Sequence, residues 1–222
     1  MSRSHGRVGE PPPLPEPLAV PVLDSHAHLD LMDADVDEAL AAARSVGIDT
    51  VVQVGVDLAS SRWSAEVASR YDDVHAAVAI HPNEAGRGAA DDETLREIEA
   101  LAALPQVKAV GETGLDFFRT ETPEGHRLQE DSFRAHIAIA KRTGTALVIH
   151  DRDAHDDVIR VLLDEGAPDR LVFHCYSGDA AMARTCAEHG WFMSFAGPVT
   201  FKANDDLRDA VAVAPAELLL VE

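Results

Sequence analysis

One alternation constrains this chain more than any other feature. From about Pro21 onward, short runs rich in Val, Ile and Leu recur at 20–23, 50–56, 74–80, 107–110, 146–149, 170–173, 191–195 and 217–221. Between them the apolar residues fall at helical spacing, as in Val36, Leu40 and Ala43, in Leu95, Ile98 and Leu101, or in Phe133, Ile137 and Ala140. Near-continuous apolar strands are what a parallel sheet covered on both faces requires. Eight strands separated by seven helices predict an α/β protein, and the count predicts a (β/α)8 barrel of the TIM type. An open doubly wound sheet usually carries a Gly-rich phosphate loop after its first strand, and none is present. The eighth run, 217–221, is followed by Glu222 alone, so the expectation is a barrel with its last helix missing from this chain.

Residues 1–20 differ in composition. Pro11, Pro12, Pro13, Pro15 and Pro17 cannot share a packed element, which predicts a disordered Pro-rich extension over 1–20 and a barrel over 21–222. No apolar run reaches the roughly 18 residues of a membrane span, and the N-terminus lacks the apolar core of a secretory signal. Two cysteines, Cys175 and Cys186, suit a reducing compartment, and the expected location is cytoplasmic. Both are read as small core residues, with Cys175 turned toward the helix layer. Charge sets a further condition. With 19 Lys and Arg against 39 Asp and Glu, the net charge of −20 repels nucleic acid at long range. Phosphate chemistry here needs a local positive centre, such as a bound metal.

The polar residues that interrupt the pattern gather at the C-terminal ends of strands, which in a barrel converge on one mouth. His26 and His28 follow strand one, His81 strand three, Glu112 strand four, His150 strand five and His174 strand six. Spacing of i, i+2 on an extended strand points both His26 and His28 the same way. A lone His-x-His is weak evidence, but four histidines and a carboxylate at equivalent depth form a donor set for divalent ions. Five ligands suit two ions about 3.5–4 Å apart sharing a bridging carboxylate. In that reading His26 and His28 hold one ion, His150 and His174 the other, and Glu112 bridges. The ions would supply the activated water and polarise the oxygen under attack.

The stretches Asp-Ser-His-Ala-His-Leu-Asp (24–30), Ile-His-Pro (80–82), Val-Gly-Glu-Thr-Gly-Leu-Asp (110–116), Ile-His-Asp-Arg-Asp-Ala (149–154) and Phe-His-Cys-Tyr-Ser-Gly (173–178) resemble the TatD family of metal-dependent deoxyribonucleases. The likeness runs from about Val22 to the last residue. It implies two divalent ions (Mg, Mn or Zn), with His26, His28, Glu112, His150 and His174 as ligands and Glu112 catalytic. It also implies hydrolysis of phosphodiester bonds in DNA, with a 3′–5′ exonuclease on single strands as the expected activity. His81 matches a family histidine at the mouth and is expected at the substrate, as are Tyr176 and Ser177. Arg152 is a candidate phosphate contact, against a surface ion pair with Asp151 or Asp156. DNA is then the partner, held locally through metal, with no membrane and no obligate protein partner. The family pattern after strand eight supplies a further Asp ligand that this sequence does not reach. Two alternatives stay open: an ester or amide hydrolase on the same site, such as an aminoacyl-tRNA deacylase, and a non-catalytic truncated form.

Overall fold

A computed structural model describes residues 13–222, and all eight expected strands are present. They are β1 (Val22–Ala27), β2 (Ile48–Val54), β3 (Val74–Val78), β4 (Val107–Asp116), β5 (Ala146–Arg152), β6 (Leu171–Phe173), β7 (Phe192–Phe195) and β8 (Leu219–Val221). Each pairs in parallel with its sequence neighbours, in the order β1 through β8. β1 and β8 meet through Ser25, whose hydroxyl donates to the Val221 carbonyl at 2.9 Å. The result is a nearly closed barrel of the TIM type.

The seven expected helices are α1 (Val36–Ser45), α2 (Leu58–Ala68), α4 (Asp92–Ala102), α5 (Pro123–Thr143), α6 (His155–Glu165), α7 (Ala180–His189) and α8 (Asp205–Val213). An extra single turn, α3 (Pro82–Ala85), is too short to show a period in sequence. Acidic residues start several helices. Asp35, Asp57, Asp91 and Asp179 each accept a backbone N–H as N-cap, which satisfies orphan donors and suits the helix dipole. α5 shows the full logic. Thr122 caps it, Pro123 occupies its first turn, and it ends at Gly144 with φ +67°. Its buried face carries Phe133, Ile137 and Ala140, each with no exposed surface. Burying Phe133 contributes on the order of 2–3 kcal/mol, and no other helix shields β4 as extensively.

Two apolar layers result. One lies between the strands and the helices and includes Val51, Val78, Ile149 and Phe173. The other is made by strand residues alone, Val54, Ala77, Ala109 and Val148, which fill the barrel interior with small side chains. Alternation along β5 therefore puts Val148 and His150 on the inner face.

Three strands run on past the C-terminal ends that the sequence reading gave them. β1 runs on through Ala27, β4 through Asp116 and β5 through Arg152, so motifs expected just after the apolar runs lie on the strands themselves. Hydropathy fades there because the inner face turns polar, while the ladder continues through Gly114–His150 and Asp116–Arg152. Of the expected Pro-rich extension, residues 1–12 lie outside the described residues. The chain already meets the barrel at Leu18, whose N–H donates to the Val46 carbonyl at 2.9 Å.

Candidate metal centre

Gly111 and Gly114 bracket Glu112 for a steric reason. A Cβ on Gly114, whose φ is +141°, would lie 2.1 Å from the His150 carbonyl oxygen, and one on Gly111 would lie 2.4 Å from the Val148 side chain. Only glycine lets β4 and β5 approach this closely, and the approach carries Glu112 and His150 to one point.

Glu112 is buried, 4% exposed, at the centre of five imidazoles. Its two oxygens divide them. Oε1 lies 2.6 Å from His150 Nδ1, 2.7 Å from His174 Nε2 and 3.3 Å from His81 Nε2. Oε2 lies 3.4 Å from His26 Nε2 and 3.8 Å from His28 Nε2. The i, i+2 spacing does what the strand geometry demands, for the His26 and His28 Nε2 atoms are 3.2 Å apart. His174 stands between the two sides, its ring stacked on that of His26 with centroids 3.9 Å apart. Two overlapping triads result, His26–Glu112–His174 and His81–Glu112–His150.

Fixed partners set the ring orientations. A carbonyl can only accept, so His28 Nδ1 donates to Val54 O at 3.0 Å and its Nε2 lone pair faces the cluster. Leu29 N–H, donating to the buried Gln53 amide oxygen at 2.6 Å, holds the adjoining backbone. His150 Nε2 donates to Asp116 Oδ2 at 3.1 Å, which leaves Nδ1 toward Glu112. Asp116 is itself fixed by Arg119 N–H at 2.7 Å and by Gln129, which accepts from its backbone N–H at 2.9 Å. His81 is the opposite case. Its Nδ1 accepts the Asn83 N–H at 3.1 Å, so the neutral ring carries its proton on Nε2 and offers a donor to the cluster. His26 Nδ1 and His174 Nδ1 are buried without hydrogen-bond partners, although Glu222 Oε1 is within ion-pair reach of the latter at 3.5 Å.

Burial by itself would raise the Glu112 carboxyl. The charge of His174 and hydrogen bonds from His150, His174 and His26 outweigh it and hold the group well below the carboxylate range. Burial likewise opposes charge on His174, but Glu112 and Glu222 push that imidazole up to about 9. Burial lowers His26 despite its carboxylate neighbour. Protons thus collect where a buried anion needs a positive partner. The His26–His28 and His150–His174 ring nitrogens, 3.2 and 3.5 Å apart around one carboxylate, match the ligand-to-ligand spacing of a small divalent ion. The donor set therefore fits divalent metal. A cavity of about 290 Å³ opens over Glu112 between His28, Leu31, Val56, His81 and Asn83.

The remaining expected residues part company. Arg152 is exposed at the rim, and its guanidinium lies 4.0 Å from the Phe118 ring centre rather than in an ion pair with Asp151 or Asp156. Ser177 is exposed and donates to the Asp151 carbonyl at 3.1 Å. Tyr176 does not face the mouth. It is 3% exposed, packs against Phe195 and donates its hydroxyl to the Asp179 carbonyl at 2.9 Å, because the positive φ at Cys175 breaks the alternation after His174 and turns it into the outer core. Cys175 also departs from its reading. With φ +40° it turns out of the helix layer and lines a cavity of about 460 Å³ with His155 and Ser177, whereas Cys186 is buried on α7 as expected. Sequence reasoning missed Asp116, Glu222 and Phe118. For Asp116 a signal existed, a carboxylate four residues past Glu112 on the same inner face.

Comparison with known proteins agrees with this geometry. The family described as "TatD related DNase" matches residues 23–222. A Mycobacterium tuberculosis protein, "uncharacterized metal-dependent hydrolase TatD", is 45% identical over 90% of this chain and 78% of its own length. The "3'-5' ssDNA/RNA exonuclease TatD" of Cronobacter turicensis is 33% identical over 86% of this chain and 72% of its own. Among solved structures, the TatD homologue YjjV of Escherichia coli superposes with a TM-score of 0.82 at 25% identity, covering 90% of this chain and 78% of that one. With the family match over residues 23–222, this identity to its relatives and a barrel that superposes on a TatD homologue, the chain belongs to the TatD family of metal-dependent hydrolases.

Proposed function

We propose that this chain is a two-metal phosphodiesterase that removes nucleotides from the 3′ end of single-stranded DNA. The observation that carries the reading is the convergence of imidazoles on both oxygens of one buried carboxylate. Relatives named as 3′–5′ single-strand exonucleases, at 33–34% identity, supply the substrate class. His26 and His28 with Glu112 Oε2 form one ligand group, and His150 and His174 with Glu112 Oε1 form the other. Bound divalent ions would lower the pKa of a water and polarise a phosphoryl oxygen.

The protein's own residues do the rest. Glu112 stays ionised and serves both groups at once. Asp116 and the Val54 carbonyl fix the tautomers of His150 and His28, as outer partners of metal-binding histidines commonly do. His81 cannot offer Nε2 as a ligand while Asn83 holds its Nδ1. It offers that proton instead from 3.3 Å beside Glu112 Oε1, at the wall of the cavity where a phosphoryl oxygen would sit. Arg152 and Ser177 stand at the rim to meet the strand, Arg152 through bidentate contact to phosphate.

The test is hydrolysis of a single-stranded oligodeoxynucleotide labelled at either end, with Mg²⁺, Mn²⁺ or Zn²⁺ added in turn. Mononucleotides released from the 3′ end, with loss of release on chelation, are the expected result. Absence of release with all three metals, together with cleavage of an aminoacyl ester, would replace the nuclease reading by the esterase one.

A further inference from the structure

Phe118 lies in the turn after β4, two residues past Asp116, and is 53% exposed. Two guanidiniums gather on it. Arg152 Cζ lies 4.0 Å from the ring centre and Arg119 Cζ 5.9 Å, and among the described residues these are the cation–π contacts. Neither guanidinium makes an ion pair or a hydrogen bond among the described residues. Arg134, Arg142 and Arg160, by contrast, are bound to carboxylates on the outer helices. In a chain of 39 acidic and 19 basic residues, two uncommitted arginines on one exposed ring stand out chemically. Carboxylates to pair with are abundant, and here both are left with free donors.

The backbone ties this group to the metal centre. Asp116 and Arg152 are register partners on β4 and β5, and Phe117 N–H donates to the Arg152 carbonyl at 3.0 Å. Arg119 N–H donates to Asp116 Oδ1 at 2.7 Å, and the other oxygen of that carboxylate holds His150. Arg152 at the end of β5, and Phe118 and Arg119 in the turn that β4 leads into, are thus tied to the same two strands as Glu112 and His150. Strand ends place side chains more firmly than free loops do.

We propose that Phe118, Arg119 and Arg152 form a platform for an unpaired nucleobase and its flanking phosphates beside the metal centre. The ring and the guanidinium planes offer stacking surfaces to a base of any identity, and the free N–H donors meet phosphate oxygens. A base in a duplex is already stacked and paired, so this platform selects single strands. The proposal rests on the nuclease reading above and deepens it, for it names what holds the strand in an acidic protein.

The experiment compares the metal-loaded full chain on two single-stranded oligodeoxynucleotides of equal length, one normal and one abasic over its 3′-terminal positions. Phe118→Ala should lower kcat/KM on the normal strand about tenfold, through KM, and so reduce the preference for the normal over the abasic strand; Phe118→Trp should restore it. Arg119→Gln and Arg152→Gln should each flatten the dependence of log Kd on log salt by about 0.7. A preference unchanged in Phe118→Ala, or equal losses on both strands, overturns the platform while the wild type's hydrolysis of DNA leaves the nuclease reading standing. Wild type that hydrolyses neither strand brings down both. Duplex cleaved as readily as single strand, with Phe118→Ala without effect on either, also overturns it.

Discussion

At the residue scale, function here depends on which nitrogen of each imidazole carries the proton. Asp116 answers that for His150, and removing it tests the assignment. Asp116→Ala should weaken divalent-metal binding by about 10–100-fold, measured by competition with a chelator of known affinity. Unchanged affinity would show that His150 needs no carboxylate behind it. His136 makes a different kind of prediction, about stability. It is wholly buried on α5, where Nε2 accepts the Ile80 N–H at 3.1 Å and Nδ1 donates to the Ser132 carbonyl at 2.7 Å. Burial depresses its pKa to about 4. The unfolded chain, with an ordinary value near 6.5, then binds more protons than the folded one at intermediate pH. Stability is therefore full above about 6.5 and is lost as pH falls toward 4, by on the order of 3 kcal/mol. His136→Gln should show a smaller drop in urea midpoint than wild type between about pH 7.5 and 5, whatever its stability at the higher pH; equal drops would contradict the burial argument. Sequence singled out His26, His28, Glu112, His150 and His174, which the barrel brings together, because divalent ions take donors of those types. It did not show Tyr176 turning inward or Cys175 turning outward, because a positive φ at Cys175 breaks the alternation that placed them.

At the scale of elements, β4 and β5 are the pair on which the site depends. The ladder from Ala109–Ala146 to Asp116–Arg152 breaks register between Val110 and Thr113, where Glu112 is presented. Gly114→Ala would put a methyl group against the His150 carbonyl, with backbone on the far side and no flexible side chain to yield. The variant should lose about 3 kcal/mol or more in thermal or urea unfolding, or fail to fold, and should bind metal more weakly if it folds. Wild-type stability and affinity would mean that β4 can move aside cheaply. Strand order and helix count were legible because apolar runs of four to seven residues alternate with clear helical periods. Strand ends were not, since the inner face at the mouth is polar on β1, β4 and β5 and hydropathy falls before hydrogen bonding does. The turn at Pro82–Ala85 escaped because four residues cannot display a period, although His81-Pro82 carried the signal of a Pro in a first helical turn.

At the scale of the whole molecule, eight parallel strands bring residues 26 and 174 into ring-on-ring contact, which no local pattern could state. The same convergence answers the charge problem. A chain of net charge −20 binds a polyanion only where positive charge is concentrated, and the barrel sets Arg119 and Arg152 beside the candidate metal centre at one mouth. Among the described residues no helix is long and apolar enough to cross a membrane. In the proposed function Glu112 joins two divalent ions. The most direct measurement is the number of Mn²⁺ or Zn²⁺ ions retained per chain after desalting, by elemental mass spectrometry, in wild type and in Glu112→Gln, with circular dichroism confirming that both are folded. The account predicts about two ions in the wild type and one or none in the variant. A wild type that retains no metal, or a variant that retains as much as the wild type, would contradict it.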